Sequence, residues 1–274
     1  MKIAVVIPVY RRPTEWEVVS LQQCCKVLAR YDHHLVAPEG LDTAPFHTLW
    51  AQHGLNLQEE RFAPKYFAGL QGYNRLCLTR DFYARFTDYD YMLIYQPDAF
   101  IFEDMLADWC QQGYEYVGPP NIGLARQTEY SPRMPMRVGN GGFCLRSIAA
   151  FLRFFDGQKR VFTLHSILTS SLLWQRNYWW LVAKALVYWL QGAEPVQILN
   201  RWTYNEDDFW GSLLSLSVYA LRKPSPEEAL YFGFDRFPKE LYARIGQLPM
   251  GCHAWHKYEY DTFWKDIINR YTNI

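Results

Sequence analysis

Short apolar runs alternate with amphipathic stretches along the first half of the chain. The apolar runs predict β-strands at residues 3–9, 34–37, 91–95 and 114–117. Helical spacing of apolar residues predicts α-helices at residues 14–29 and 73–86, with Thr14 as the N-cap of the first. This alternation is typical of a doubly wound α/β fold, in which helices flank a mostly parallel, twisted sheet.

The run YMLIY at residues 91–95 is too apolar on both faces for a surface strand. It suits a central strand of a covered parallel sheet. Gln96, Pro97 and Asp98 follow at once, at the strand edge where open α/β sheets bind ligands. An acid there, with an amide two residues earlier, can hold Mg²⁺ or Mn²⁺ against a diphosphate. A plain Pro-Asp turn is the alternative interpretation.

The second half of the chain carries a Trp-rich insert at about residues 160–195. Residues 164–190 are helical in character, but the apolar part from residue 178 to 190 contains Lys184 and is too short to span a bilayer. It can lie in a membrane interface with its Trp rings at headgroup depth, or pack over the sheet as an aromatic hairpin. The sequence favours the hairpin.

Composition narrows the class of protein. The 274 residues can hold one large α/β domain or two small ones, and they can bury a full core. The 28 basic and 28 acidic residues balance, so no nucleic-acid partner is expected. Eleven Trp and 20 Tyr suit stacking on sugars, although core filling is the alternative. Six Cys without paired spacing, and a first apolar run too short for a signal peptide, predict a cytoplasmic protein.

Two further segments carry candidate ligand contacts. In PVYRRP at residues 8–13, Tyr10 can stack on a base and an Arg can meet a phosphate, although a basic turn explains the segment equally well. In GNGGF at residues 139–143, the glycines allow a backbone to approach a ligand closely, and Asn140 adds an amide. Strict GxGxxG and P-loop patterns are absent.

Acids and imidazoles mark the last two candidate segments. Glu206, Asp207 and Asp208 are consecutive and would repel one another unless a cation, a substrate or a helix N-terminus offsets them. A helix predicted over residues 208–219 would place them at its start, so simple helix capping is an alternative. His253 and His256 are candidate metal ligands. Two histidines together with carboxylates would also fit a zinc hydrolase.

Taken in order, these segments resemble the GT-A-type nucleotide-sugar glycosyltransferases. They are most similar to a bacterial and fungal family of glycosyltransferase-like sequences of unassigned specificity. The matching stretches are VVIPVY from Val5, GYNRL from Gly72, YMLIYQPDAF from Tyr91, GNGGFCLR from Gly139, NEDDFW from Asn205 and GCHAW from Gly251. They cover most of the chain apart from the insert, and their order is more specific than any one of them.

The resemblance implies a metal site and a general base. Asp98 matches the final, metal-contacting acid of the D-x-D motif, with Gln96 in place of the first acid. His253 matches the C-terminal histidine that completes the site, and the implied cofactor is Mn²⁺ or Mg²⁺. Asp207 matches the acid of the x-E-D motif that serves as the base in inverting members, with Glu206 as its neighbour.

The resemblance also implies a single domain, with a nucleotide-binding half at residues 1–120 and an acceptor and metal half at residues 121–274. It further implies which residues meet each substrate. The donor-binding set is Pro8, Val9, Tyr10, Arg12, Asn74, Arg75, Gln96 and Asp98. The set for the acceptor and the transferred sugar is Asn140, Gly141, Gly142, Asp208 and Trp210.

The expected function is metal-dependent transfer of a sugar from a nucleoside-diphosphate sugar, with UDP as the nucleotide, to a glycan or lipid-linked glycan. The expected course is inverting, and the expected location is the cytoplasm or the inner face of the membrane, with the insert as a peripheral contact. A metal-dependent hydrolase or phosphotransferase is one alternative. A sugar-nucleotide-binding protein without turnover, suggested by Gln96, is another.

Overall fold

The computed structural model describes residues 1–123, 129–157 and 160–272. Its strands, in chain order, are β1 (Ile3–Pro8), β2 (Asp32–Pro38), β3 (Leu57–Phe62), β4 (Tyr91–Tyr95), β5 (Ala99–Ile101), β6 (Tyr116–Val117), β7 (Pro120–Ile122), β8 (Met136–Val138), β9 (Phe143–Ser147), β10 (Gly233–Phe234) and β11 (Gly251–His253).

The α-helices are α1 (Glu15–Val27), α2 (Ala44–Gln52), α3 (Gly69–Leu76), α4 (Arg80–Ala84), α5 (Leu106–Gln111), α6 (Ile148–Phe155), α7 (Leu164–Thr169), α8 (Trp179–Leu190), α9 (Pro195–Arg201), α10 (Glu206–Gly211), α11 (Pro226–Phe232), α12 (Pro238–Ile245) and α13 (Lys265–Thr272). Short 3-10 turns lie at Pro64–Phe67, Ser171–Trp174, Arg176–Tyr178 and Leu213–Leu216, and a π-helical turn lies at Tyr260–Trp264.

The main sheet has the strand order β3-β2-β1-β4-β9-β6. The strands β1 to β4 are parallel, and β9 runs antiparallel between β4 and β6. The structure thus confirms a mostly parallel α/β sheet with β4 in its interior. The chain leaves β1 toward β2 on one side and returns at β4 on the other. The carboxyl ends of β1 and β4 therefore flank a switch point, the place where such sheets bind ligands.

A smaller sheet carries the C-terminal part of the chain to the same edge. Its order is β10-β11-β5, and β5 pairs antiparallel with β11 so that His253 lies opposite Ala99. Ala99 directly follows Asp98. The register of this sheet therefore brings a histidine from the end of the chain beside the acid that follows β4.

The first helix and its cap are as predicted. Thr14 Oγ1 accepts a hydrogen bond from the Glu17 backbone N–H, while the Glu17 carboxylate accepts one from the Thr14 N–H at 2.7 Å. A single helix over residues 73–86 was wrong, because Thr79 caps a second helix by accepting from the Phe82 N–H. The predicted helix over residues 208–219 is also too long, since α10 ends at Gly211.

The insert is helical, and its inner side chains belong to the main apolar core. Leu181 and Ala185 of α8 are buried in the same apolar cluster as Ala4 and Val6 of β1. The opposite face of the insert is exposed, with Trp174, Trp179 and Leu190 among its exposed side chains. All six cysteines are buried and free, as expected of reduced thiols. Within the described part of the chain, no helix combines the length and the apolar character needed to cross a bilayer.

Candidate active site

A cleft of about 430 Å³ opens at the carboxyl ends of β1 and β4. This size is typical of small-molecule sites. The two strand ends supply Pro8, Val9, Tyr10, Gln96, Pro97 and Asp98 to its wall. Apolar side chains lie next to them, and the cationic groups Arg11 and Lys257 face the same space. The predicted edge of the sheet is therefore a real concavity with both apolar and charged surfaces.

Asp98 lies between two cationic side chains. One carboxylate oxygen, Oδ1, is 3.3 Å from His253 Nε2, and the other, Oδ2, accepts a hydrogen bond from Lys257 Nζ at 2.6 Å. Burial by itself would disfavour the ionised carboxyl group. The pairing with His253 and Lys257 outweighs that cost and holds the pKa of Asp98 well below its usual range. Asp98 is therefore ionised, as a carboxylate ligand of a metal cation must be.

His253 is held on both sides of its ring. Its Nε2 lies 3.2 Å from Gln96 Oε1, and its Nδ1 lies 3.7 Å from Asp235 Oδ1. Burial disfavours the imidazolium, but Asp98 and Asp235 outweigh burial and raise the pKa of His253 to about 10. A carboxylate behind the ring fixes the orientation of a ligating histidine in many metal sites. Asp235 lies 3.7 Å away, too far for a hydrogen bond, so it acts on His253 as a nearby negative charge behind the ring.

The three facing atoms suit a hard divalent cation. Gln96 Oε1 and Asp98 Oδ1 lie 3.2 Å and 3.3 Å from His253 Nε2. Ligands about 2.1 Å from Mg²⁺ in octahedral geometry are separated by about 3 Å. Among the described residues, no group of three His, Cys, Asp or Glu side chains is placed to hold a metal ion. A cation held by Asp98 and His253 would have the amide oxygen of Gln96 within reach as a further ligand, and it would displace the proton of His253 Nε2.

The glycine-rich loop joins this cluster to the acidic helix. Asn140 is buried, and its Oδ1 accepts hydrogen bonds from the N–H groups of Gly142 and Phe143 at 2.8 and 3.0 Å. A Cβ added at Gly142 would overlap His253 Nε2 and lie 2.6 Å from Gln96 Oε1. A Cβ added at Gly141 would instead lie 2.8 Å from Glu206 Oε1. Two adjacent glycines thus allow the close approach of both groups.

Glu206 is enclosed in the protein rather than exposed to a substrate. Its Oε1 accepts a hydrogen bond from Arg146 Nη2 at 2.7 Å, and both side chains are buried, with relative exposures of 1% and 0%. Burial, opposed by Arg146 and assisted by Asp207, raises the pKa of Glu206 to about 7. Arg146 also donates to Tyr83 Oη at 2.8 Å. The Glu206–Arg146 pair therefore fixes the start of α10 against the core.

Asp207 and Asp208 have different surroundings. Asp207 is partly exposed and accepts a hydrogen bond from Asn121 Nδ2 at 3.1 Å. Asp208 forms an ion pair with Arg137 and is more enclosed. Burial raises the pKa of Asp208, while Arg137 opposes this effect and the neighbouring Asp207 adds to it. Of the three acids, Glu206 and Asp208 each pair directly with an arginine, whereas Asp207 accepts a hydrogen bond from the neutral Asn121 amide and feels the charge of Arg137 at longer range.

The glycine-rich loop residues Asn140, Gly141 and Gly142 and the acid Asp208 do not line the cleft, and neither do four further residues predicted to meet the substrates. Arg12 forms an exposed ion pair with Asp42. Arg75 donates to the Leu199 carbonyl at 2.7 Å, so it ties α3 to α9. Trp210 is fully buried and donates its indole N–H to the Cys77 carbonyl, so it belongs to the core.

The fourth, Asn74, is a positioning residue. It is buried, with its amide donating to Asn205 Oδ1 at 3.1 Å and its Oδ1 accepting from the Glu206 N–H at 3.3 Å. Both contacts are at the first turn of α10. The GYNRL segment therefore contributes to the site by holding the acidic helix, although the resemblance implied a nucleotide contact.

Sequence reasoning did not assign several residues that the structure places at the site. They are Arg11, Asn121, Arg146, Asp235 and Lys257. Two of them carried a local signal, because Arg11 lies in the PVYRRP segment after the first strand and Asp235 follows a short apolar run as Asp98 does. The others depend on contacts between distant segments, such as the 159 positions that separate Lys257 from Asp98.

Comparison with solved structures identifies the class of fold. The galactosyltransferase LgtC, in complex with donor and acceptor sugar analogs, matches with a TM-score of 0.55 and 13% identity over 98% of this chain and 95% of that chain. An active-site mutant of LgtC gives a TM-score of 0.52 at 13% identity, with the same coverage. The glycosyltransferase GlyE of Streptococcus pneumoniae gives 0.49 at 12% identity, covering 100% of this chain and 60% of that chain. The fold is thus the GT-A type found in glycosyltransferases.

The sequence then places the chain within a family. It belongs to the family described as "Protein of unknown function (DUF5672)", whose sequence model matches residues 56–253. The matched range includes the strand-edge acid, the glycine-rich loop, α10 and His253. No curated protein matches the chain.

Proposed function

We propose that the chain is a metal-assisted glycosyltransferase that moves a sugar from a nucleoside-diphosphate sugar, with UDP as the nucleotide, to a hydroxyl group of a glycan. One observation carries this proposal. The adjacent residues Gly141 and Gly142 pack against Glu206 of the acidic helix and against His253 of the Asp98 cluster, respectively. One loop beside a cleft of suitable size therefore contacts the candidate cation site directly and contacts the acidic helix at Glu206, the residue before the candidate base Asp207.

The strand-end cleft would bind the donor. Tyr10 is 62% exposed at its wall, so its ring is free to stack on a nucleobase. Gln96, Asp98 and His253 would hold Mn²⁺ or Mg²⁺. A bound divalent ion supplies charge stabilisation for the departing diphosphate. Asp235 lies behind His253 as a nearby negative charge.

Asp207 would act as the general base. The acceptor hydroxyl oxygen forms a bond to the anomeric carbon as the bond from that carbon to the diphosphate oxygen breaks. The hydroxyl proton passes to the Asp207 carboxylate. This single displacement inverts the anomeric configuration. Asn121 supports the role, because its amide donates to Asp207 without neutralising the charge of the carboxylate.

The insert would cover the acceptor side. Trp180 of α8 and Tyr204 are both partly exposed, with ring centroids 4.8 Å apart, and Lys184 lies over the Tyr204 ring. Tyr204 directly precedes Asn205, the N-cap of the acidic helix. Exposed aromatic faces of this kind suit the apolar face of a sugar ring. A glycan or lipid-linked glycan acceptor is therefore proposed, with the cytoplasmic leaflet as the place where a lipid-linked one would be met.

The test is incubation of the purified protein with a panel of nucleotide sugars and Mn²⁺, followed by measurement of free nucleoside diphosphate. Release that an added glycan acceptor stimulates supports transfer. Release that no acceptor stimulates would indicate a hydrolase, and binding without release would indicate an inert sugar-nucleotide-binding protein. Asp98→Asn should abolish metal-dependent UDP binding in calorimetry while leaving the thermal unfolding transition in place.

Membrane contact has its own test. Co-sedimentation with liposomes should compare the wild type with a variant in which Trp179, Trp180 and Trp189 are replaced by Ala. Loss of pelleting in the variant would support contact with a membrane through the exposed Trp face. Equal pelleting of both proteins, or none of either, would restrict the insert to packing and acceptor binding.

A further inference from the structure

Lys257 has no role in the mechanism described so far, although it faces the cleft. Its Nζ donates to Asp98 Oδ2 at 2.6 Å, while the other oxygen of Asp98 faces His253. The Lys257 side chain is 55% exposed and lines the cleft between the two strand ends. The ammonium group thus lies beside the proposed cation site, on the side of Asp98 away from His253.

The charged groups around the cleft are not equally available to a ligand. Arg11 donates to both oxygens of Glu17, at 2.7 and 2.9 Å, and Glu17 in turn caps α1 through Thr14. Arg11 is therefore held by a carboxylate that has a structural function of its own. Burial lowers the pKa of His256, which favours its neutral form. The partner of Lys257 is different, because Asp98 is itself a proposed metal ligand.

A divalent ion at Asp98 would change this pairing. It would take over the negative charge of the carboxylate and repel the neighbouring ammonium group. Lysine is a compact charge on a flexible stem and a common phosphate-binding residue. Gln96 supplies an oxygen without a charge, so one ion held by a single carboxylate brings more positive charge to the site than a D-x-D pair would. The diphosphate attracts both cations.

We propose that Lys257 is a donor-binding residue that neutralises Asp98 in the free protein and moves to the diphosphate oxygens when the nucleotide binds. This inference rests on the proposed function and extends it to one more residue. It gives two expectations of opposite sign. Removing the ammonium group should weaken nucleotide binding, and it should strengthen metal binding in the absence of nucleotide because Asp98 loses its competing partner.

The experiment is calorimetric titration of the full-length protein. UDP and GDP are each titrated once in EDTA and once with saturating Mn²⁺, and Mn²⁺ is titrated separately without nucleotide. Lys257→Met should bind the nucleotide about tenfold more weakly than the wild type does, the loss expected for one charge-assisted hydrogen bond. The same variant should bind Mn²⁺ severalfold more tightly. Lys257→Arg, which keeps the charge, should retain most of the nucleotide affinity.

Lys239→Met is the matched control, because Lys239 is an exposed lysine outside the cleft. It should leave both affinities at the wild-type values. Unchanged nucleotide affinity in Lys257→Met, with binding by the wild type established, would overturn the role of Lys257 alone. A wild type that binds neither nucleotide, with or without Mn²⁺, would overturn the proposed function and this inference with it.

Discussion

The strand-end cleft and the acidic helix α10 both contain paired charges, but they expose them very differently. In the cleft, Asp98 meets Lys257, whose side chain is half-exposed. In α10, Glu206 meets Arg146 with both side chains closed off from solvent. An accessible pair can exchange a partner for a ligand at modest cost. A buried pair cannot do so, because either charge left alone in the interior is strongly destabilising.

This difference in exposure separates ligand binding from structural anchoring, two roles that the sequence alone does not distinguish. In the proposed function, Asp98 and His253 bind a cation that comes and goes. Glu206 is placed to hold the first turn of α10 against the core, so that the next residue, Asp207, faces out with Asn121 as its hydrogen-bond donor. Adjacent acids in one motif thus serve different purposes, one as an anchor and the other as the candidate base.

The largest effect should come from breaking the buried pair. Arg146→Met removes the hydrogen bonds to Glu206 and Tyr83 and the cationic contact with the Tyr116 ring. It also leaves a buried carboxyl group without its partner. We expect the free energy of unfolding to fall by about 3–5 kcal/mol, as measured by urea denaturation.

The pH dependence of this loss is a sharper test. The pKa of Glu206 is raised from 4.5 to about 7 in the folded protein. The folded state therefore keeps a proton that the unfolded chain has released, and the stability falls as pH rises between these values. Without Arg146 the folded pKa moves higher, so the deficit of the variant should widen above pH 7. Adding Glu206→Gln should abolish that widening. A deficit independent of pH would show that Glu206 is not the group involved.

The second prediction concerns Asp207, the partly exposed acid of the same helix. Asp207→Asn keeps the size and hydrogen-bonding capacity of the side chain but removes the proton acceptor. Turnover should fall by roughly 10²-fold or more, with the donor KM little changed, because the lost interaction belongs to the transition state. Steady-state kinetics and UDP titration measure the two quantities separately.

Asp208→Asn is the matched comparison, since Asp208 is paired with Arg137 and should contribute less to turnover. Near-normal turnover in Asp207→Asn together with an inactive but folded Glu206→Gln would move the base to Glu206. If Asp207→Asn and Glu206→Gln both remain active, the acids have no catalytic role and only form the first turn of α10.

The third prediction compares two adjacent glycines. Gly142→Ala places a methyl group on His253 Nε2 and close to Gln96, so Mn²⁺ affinity should fall by about tenfold or more. Gly141→Ala presses on Glu206 instead and should reduce stability while leaving Mn²⁺ affinity nearly unchanged. Calorimetry and urea denaturation of both variants provide the comparison. If Gly141→Ala and Gly142→Ala lose the same Mn²⁺ affinity, the glycine-rich loop moves as one body. The Asp98 cluster and the start of α10 would then not respond independently.

The sequence predicted those parts of the fold that local patterns determine. The apolar run 91–95, the first strand and the capped helix after Thr14 each have a signal within a few residues, and the structure contains all three. The helix over residues 73–86 was wrong because apolar spacing continues through a capping threonine. The strand β9 follows the glycine-rich loop without alternation, since it is buried on both faces, and it was not predicted as a strand.

Prediction of the site was limited in the same way. Segments at strand ends, such as Gln96–Asp98, were located from their position alone. The pairing of Lys257 with Asp98 and of Arg146 with Glu206 depends on the tertiary arrangement, which a single sequence does not encode locally. Burial likewise distinguishes Trp210 and Asn74 from substrate contacts, and side-chain exposure follows from packing rather than from residue type.

The smallest effect is expected at the turn after β1, where two consecutive arginines differ in surroundings. Arg12 pairs with Asp42 through side chains that are 71% and 53% exposed, and it does not line the cleft. Exposed pairs of this kind contribute little, because solvent screens them and both side chains lose rotamer freedom. Arg12→Ala should therefore leave both the urea midpoint and the UDP affinity within error of the wild type. Arg11→Ala should weaken UDP binding severalfold even though Arg11 is paired with Glu17, because its loss frees the carboxylate that caps α1 at the wall of the cleft and leaves that negative charge beside the diphosphate. The opposite order of effects would place the phosphate-binding arginine at Arg12, as the sequence suggested, and would require the turn to rearrange when the donor binds.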